Sequence, residues 1–257
     1  MGRQQAFDTV NAVEAARDLF WQLGYDAVSL SDLERATGLN RSSIYNAFGS
    51  KRGLFDVAVE NYLATIIRPR IAPLLDPSNS PSAAAEALVR YFTDLAETVA
   101  GLPADSPRQG CLLVTAAPGI AGQDETVRQV VAEYHAELVG AFTAALERAN
   151  GAAAIERASS ASALEHASAA AALERASAAA AHETPAGATR DAGGHTLLGQ
   201  AERSADPKSV SRARLLASLS VSAFALAKVD RGESVVLLHT GADFATEWTE
   251  PEHLQRF

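Results

Sequence analysis

Cysteine occurs once in the 257 residues, as Cys111. No intramolecular disulfide can form, and the chain fits a reducing compartment. Aromatic residues make up only 6%, and β-branched or aromatic runs alternating with period two are scarce, which argues against a sheet-built core. The longest nearly apolar run, Leu215 to Ala227, is 13 residues with three serines, too short and too polar to cross a bilayer. The start, Met1 to Ala6, has no apolar signal core, and Ala6 stands where myristoylation wants Ser or Thr. A soluble cytoplasmic protein is expected, nucleoid-associated if it binds DNA. The six histidines show no His-x-x-x-His spacing, so no metal site is expected. Gly119-Ile120-Ala121-Gly122 lacks the lysine and the preceding strand of a phosphate loop, and no cofactor is expected.

Positive charge is in deficit, with 22 Lys and Arg against 31 Asp and Glu. A protein basic all over is excluded, but a local docking face is not, because only that face needs positive potential. From Leu39 to Phe55 there are three basic residues, Arg41, Lys51 and Arg52, and no acid.

What the chain has in quantity is alanine, within a hydrophobic content of 47%, and alanine favours helix. An all-α fold is expected. Val13, Ala16, Phe20 and Leu23 recur at helical spacing from about Phe7 until Gly24. Ser29, Asn40 and Ser50 each stand where a cap is needed for helices at about Leu30–Ala36, Asn40–Phe48 and onward from Ser50. Arg68-Pro69-Arg70 and Ala72-Pro73 interrupt the pattern, and Pro77 to Pro81 reads as a loop. Further helices are expected at 82–100, from the Ser106-Pro107 start pair, from Asp124, and at 214–228 and 234–248, the last two parted by the turn Asp230-Arg231-Gly232. From Leu146 to Ala181 a nine-residue unit of the type LERASAAAA repeats. Nine residues are about two and a half helical turns, so successive Leu or Ile point to opposite sides. An exposed helical extension is expected there, followed by a flexible loop to Asp206.

The window Val28 to Phe55 carries the chemistry. Two short helices joined by a Gly-containing turn make a helix-turn-helix. Leu30, Leu33, Ala36, Leu39, Ile44 and Phe48 supply its small core. The second helix is polar outward and can present short hydrogen-bonding groups to base edges in a major groove. Lys51 begins the next helix, where its charge and the backbone N–H groups can together grip a phosphate. The candidate DNA contacts are Ser29, Asn40, Arg41, Ser42, Ser43, Tyr45, Asn46 and Lys51.

Residues 7–55 resemble the DNA-binding region of the tetracycline-repressor-like (TetR) family. The resemblance runs from Leu23-Gly24-Tyr25 to Gly38-Leu39-Asn40-Arg41-Ser42-Ser43-Ile44-Tyr45-Asn46-Ala47-Phe48-Gly49-Ser50-Lys51. Ala47 stands where many members carry His or Tyr, which implies that one backbone contact is missing. The resemblance implies a three-helix DNA-binding domain at 1–50, a connecting helix at 51–67, and a helical effector-binding and dimerisation domain at 68–257. It implies a homodimer built on about 207–229 and 234–250, double-stranded operator DNA as partner, and a small-molecule effector that releases the repressor. The stretch at about 151–206 reads as an insertion, since family chains are commonly shorter.

Polar or aromatic groups within apolar helices mark Tyr91, Phe92, Cys111, Thr115, Tyr134 and His135 as effector-pocket candidates. Two alternatives stay open: a constitutive or architectural DNA-binding protein without ligand, and a thiol-based sensor of oxidants or electrophiles through Cys111. A catalytic pair of Cys111 and His135 has nothing in the sequence to orient it, so no enzyme activity is expected.

Overall fold

The computed structural model describes residues 2–103, 105–115, 124–151 and 205–250. The repeats beyond residue 151, the loop read at 182–204 and the Gly119–Gly122 segment lie outside them. Among the described residues every regular element is helical. The first is α1 (Gly2–Leu23), which starts ahead of the expected Phe7. Then come α2 (Leu30–Thr37), α3 (Arg41–Phe48) and α4 (Lys51–Tyr62). These short helices start where they do because side chains cap them. Ser29, Asn40 and Ser50 accept hydrogen bonds from Asp32 N–H (3.2 Å), Ser43 N–H (2.8 Å) and Gly53 N–H (3.0 Å). Each such cap stabilises its helix by about 1 kcal/mol. Asp32 closes a full capping box, its carboxylate accepting from the Ser29 N–H at 3.0 Å.

At the prolines the chain bends without stopping. A π-helical turn (Leu63–Ile67) follows α4 and leads into α5 (Arg68–Leu75). The Arg68 N–H reaches back five residues to the Leu63 carbonyl. The widened turn leaves Pro69, which has no N–H to give, in the first turn of α5, where none is needed. Two other expectations are corrected. Ser106-Pro107 starts a turn and not a helix, and helical backbone begins only at 112. Gly110 takes a left-handed φ of +75°, and its carbonyl accepts from the Trp21 indole at 3.2 Å; both divert the chain from a helical path. Asp230 is the cap of the final helix, which places Arg231 and Gly232 inside that helix.

The rest of the described chain is α6 (Pro81–Gly101), α7 (helical residues 125–151), α8 (Pro207–Leu226) and α9 (Arg231–Thr249). Along α6 the buried Ala84, Leu88, Tyr91, Phe92, Leu95, Ala96 and Val99 repeat at helical spacing. Tyr91, Phe92 and Phe142 form a three-ring cluster with centroids 5.0–5.6 Å apart. α9 lies so close to it that a Cβ at Gly241 would stand 2.5 Å from the Phe92 ring. The described part of the first repeat unit, residues 146–151, is not the exposed extension its sequence suggests. Leu146 is fully buried on the same face of α7 as Leu138 and Phe142. Glu147 accepts from the Asp206 N–H (2.8 Å), and Arg148 donates to the Leu74 carbonyl (3.2 Å).

Tyr62, Tyr91, Tyr134 and Cys111 are buried in this core, with the Tyr62 hydroxyl 3.3 Å from the Cys111 sulfur. Burial pushes the pKa of all four up, Tyr91 to about 12 and Tyr62 and Tyr134 well above the usual phenol range. Unfolded tyrosine ionises near pH ~10. The folded form therefore keeps its full stability below that pH and loses it as pH climbs toward 12. On alkaline titration, tyrosinate absorbance from the buried three should rise together with loss of helical ellipticity, and Tyr91→Phe should weaken the pH dependence between those limits.

The glycines of α7 and α9 should respond oppositely to alanine in urea denaturation. Gly241→Ala forces a methyl against Phe92 and should cost about 1–3 kcal/mol. Gly140 has nothing within 4 Å of a built Cβ, so Gly140→Ala should stabilise by about 0.5–1 kcal/mol through helix propensity.

Candidate nucleic-acid interface and effector cavities

The angle between α2 and α3 is fixed from within by Leu33 and Ile44, both fully buried. It is fixed at the turn by Gly38, whose φ of +71° closes α2, and by the Arg41 N–H donating to Glu34 Oε1 at 2.6 Å. Rotation of α3 is thereby set, and it exposes Arg41, Ser42, Tyr45 and Asn46. Tyr45 is 45% exposed. Ser43 is half-buried and gives its N–H to Asn40. The Ser29 hydroxyl is occupied by the capping box, donating to Asp32 at 2.5 Å. The Ser29 hydrogen bond is the main cause that holds the Asp32 carboxyl below the usual aspartate range.

Lys51 is the first residue of α4, and its ammonium stands 4.4 Å over the Tyr25 ring. Partial burial pushes its pKa down, and the Asp26 carboxylate opposes the shift. The Tyr25 ring is itself held by Phe20 and Phe55, at 5.9 and 4.9 Å. Lys51 thus sits on a packed aromatic platform beside the polar face of α3. Arg52, counted with it in the acid-free window, turns away. Its guanidinium bonds Asp56 at 2.7 Å and also pairs with Asp124 at the start of α7. Those partners lie outside the window, so only the fold could separate the two cations.

Among the described residues, the helical body holds several cavities, three of which matter here. One of about 320 Å³ runs between α4 and α7, with Phe55, Val59 and Val127 in its walls and Asp56, Glu60, Glu133 and Glu137 among its polar groups. A second, about 670 Å³, lies between α5 and α6. A third, about 390 Å³, lies where the end of α1 meets the π-helical turn, α6, the Gly110 loop and α8. Of the sequence candidates, Tyr134 lines the first cavity and Tyr91 the second. Phe92 and Cys111 are fully buried packing residues, Thr115 is half-buried, and His135 is exposed. Tyr134 and Cys111 do come near each other, close enough for the thiol to add to the upward pKa shift that burial gives Tyr134.

Sequence reading missed the joint beside the third cavity, because its contacts span most of the chain. Lys228 donates to the Trp21 and Gln22 carbonyls at the end of α1 (2.8 and 3.1 Å). Trp21 donates to Gly110. Arg108 bonds Asp18 at 2.9 Å. Arg17, also on Asp18, reaches Asn61 at 2.8 Å. Trp21 falls outside the helical spacing of Val13, Ala16, Phe20 and Leu23, so periodicity gives it no role.

This architecture has relatives. Residues 12–58 match the family described as bacterial regulatory proteins, tetR family. Over 134 residues the chain is 32% identical to the HTH-type transcriptional repressor BdcR of Escherichia coli (strain K12); the match covers 52% of this chain and 63% of BdcR, so it spans less than two thirds of that relative. It is 30% identical over 149 residues to the uncharacterized HTH-type transcriptional regulator YezE of Bacillus subtilis (strain 168), covering 58% of this chain and 73% of YezE. A solved structure of a cysteine mutant of CifR, a TetR family transcriptional regulator complexed with 26-bp double-strand operator DNA, shares the fold with a TM-score of 0.54 at 23% identity, over 91% of this chain and 94% of that one. With its capped helix-turn-helix, its helical body and these relatives, the chain belongs to the TetR family of bacterial regulatory proteins.

Proposed function

We propose that the chain is a homodimeric repressor that binds operator DNA through α3 and the start of α4 and is released by a small-molecule effector. The observation that carries this reading is the exposed row Arg41, Ser42, Tyr45 and Asn46, held rigid by side-chain caps and flanked by Lys51 at a helix N-terminus. Short polar groups on α3 suit base edges, and Lys51 with the first free N–H groups of α4 suits a phosphate. That CifR is described in complex with operator DNA, and BdcR as a repressor, supports the same role here. On this division residues 1–50 dock DNA, 51–67 connect, and 68–257 bind effector and dimerise.

The homodimer is assigned to α8 and α9, at about 207–229 and 234–250. These helices carry apolar residues on two sides. Leu216, Phe224 and Leu238 are buried, whereas Leu215 and Val236 are exposed and Phe244 stacks on Trp248 at 5.0 Å near the end of α9. A single chain leaves one of those sides uncovered. In a dimer the two α3 helices must sit about one DNA turn apart, and a ligand that prefers another spacing shifts the population off DNA. The cavities favour an effector-controlled repressor over an architectural protein. Burial raises the Cys111 pKa and leaves no exposed sulfur, which weighs against thiol sensing. No helix of the described residues is long and apolar enough to cross a membrane.

The test is a titration against DNA from upstream of the chain's own gene, with unrelated DNA as control. Operator binding should be saturable and should weaken by orders of magnitude between about 50 and 200 mM salt. Tyr45→Ala/Lys51→Ala should lower affinity at least about tenfold, and loss of the Lys51 phosphate contact should reduce the salt slope by about one. A folded protein that binds no DNA would sink the reading.

A further inference from the structure

The cavity at the foot of α1 differs from its neighbours in charge. Its walls are Trp21, Ile66, Leu95, Val99, Leu102 and Phe224, and among the described residues the only charged side chains lining it are Arg70 and Arg108. In a chain with 31 acids against 22 bases, an acid-free cavity with two guanidinium groups is a local inversion of the prevailing field. The cavity between α4 and α7 has the opposite character, with four carboxylates and one arginine. The cavity on the far side of Arg70, between α5 and α6, includes Asp76, Glu86 and Asp94, yet none pairs with Arg70.

Arg70 is half-buried, and among the described residues it makes no hydrogen bond and no ion pair. Its neighbour two residues back, Arg68, is fully engaged by comparison, with Glu60 at 2.7 Å and Glu137 at 4.0 Å. A guanidinium presents five donors in a planar fork, and partly removing it from water without a partner is costly. The buried groups that feel its charge, Tyr62, Tyr91, Tyr134 and Cys111, are all shifted by burial toward their neutral forms, so none serves as its counter-ion.

We propose that this cavity binds a small organic carboxylate on an apolar body, with Arg70 as the anchor for the carboxylate. A planar fork and a planar carboxylate match bidentately. About 390 Å³ of space lies within the range of small-ligand pockets. Thr65 and Thr98 add hydroxyls to the lining, and the aromatic and aliphatic walls take the body.

The position gives the ligand leverage. Arg108 places two nitrogens on Asp18 Oδ2, at 2.9 and 3.2 Å. Asp18 also holds Arg17, whose guanidinium reaches Asn61 and Thr65. A carboxylate that draws Arg108 toward the cavity competes with Asp18 and loosens α1 from the Gly110 loop. This step rests on the effector-controlled reading above; the binding site itself does not.

The test is calorimetric titration of the purified full chain with octanoate and benzoate, their neutral partners octanamide and benzamide, and octyl phosphate. The acids should bind wild type at least tenfold more tightly than the amides. Arg70→Gln should lose at least tenfold for the acids and bring acid and amide together. Ile66→Trp, which narrows the cavity and keeps Arg70, should weaken acid and amide alike. Equal affinity of acid and amide for wild type, wild-type affinity in Arg70→Gln, tighter binding of octyl phosphate than octanoate, or no binding by any probe would each overturn the assignment. A parallel operator titration with octanoate separates the two claims: calorimetric binding with unchanged operator affinity upholds the site and refutes its use as the effector switch.

Discussion

Phe20 and Trp21, consecutive in α1, look in different directions, and the arrangement of the molecule follows from that. Phe20 is fully buried against Tyr25 and Phe55 in the core under α2 and α3. Trp21 turns to Tyr62, ring to ring at 4.8 Å, and to the Gly110 carbonyl. On a helix, neighbouring residues are about 100° apart, so one rigid element can belong to two packing units at once. Among the described residues, the short helices α2 and α3 are tied to the helical body through α1 and α4. Both are firmly held: α1 by Lys228, Arg108 and Asn61, α4 by the Arg52 pair to Asp124.

Charge in this protein is sorted more than balanced. Arg52, Arg68 and Arg108 each hold a carboxylate that joins one helix or loop to another. Exposed ion pairs contribute only about 0–1 kcal/mol each, so their effect lies less in stability than in removing those cations from other duties. Among the described residues Arg41, Lys51 and Arg70 form no ion pair, and these three stand on the face of α3, at the start of α4 and in the acid-free cavity. A net charge of −9 is therefore compatible with a nucleic-acid interface. Arg41 and Lys51 are left without an ion-pair partner there, although Asp26 and Glu34 lie close by.

The helix-turn-helix was readable from the sequence because its determinants are local. Ser29, Asn40 and Ser50 act on N–H groups three residues away, a distance that sequence inspection covers. Apart from the Asp230 cap, which is local, most of what failed was set by partners far along the chain. Ser106-Pro107 has the signature of a helix start, but a bond from Trp21, 89 residues earlier, fixes the carbonyl of Gly110. Arg52 looked like Lys51 until Asp124 was placed beside it. Leu146 looked like the head of a repeat because its unit recurs, whereas its register with Leu138 and Phe142 puts it in the core. Arg70 was hidden between two prolines whose loudest signal was a break. The pocket candidates were chosen for polarity inside apolar helices, and that rule cannot tell a buried packing tyrosine from one at a cavity wall.

The energetics of the α1 joint suit a switch. Coupling between effector and operator sites is typically worth about 1–3 kcal/mol. Hydrogen bonds to charged groups contribute about 1.5–3 kcal/mol each and neutral ones about 0.5–1.5. The joint consists of a few such bonds, Trp21 to Gly110 and Lys228 to two carbonyls, beside the exposed Arg108–Asp18 pair. Losing one of them changes the balance by about the size of a typical coupling energy, and leaves the Phe20 core intact. A ligand bound instead in the Tyr91, Phe92 and Phe142 cluster would have to displace close-packed rings, at the larger cost of disturbing a filled core. On the proposed reading, this joint beside the cavity is where a small molecule would act, since its few polar bonds can be altered while the packed core stays intact.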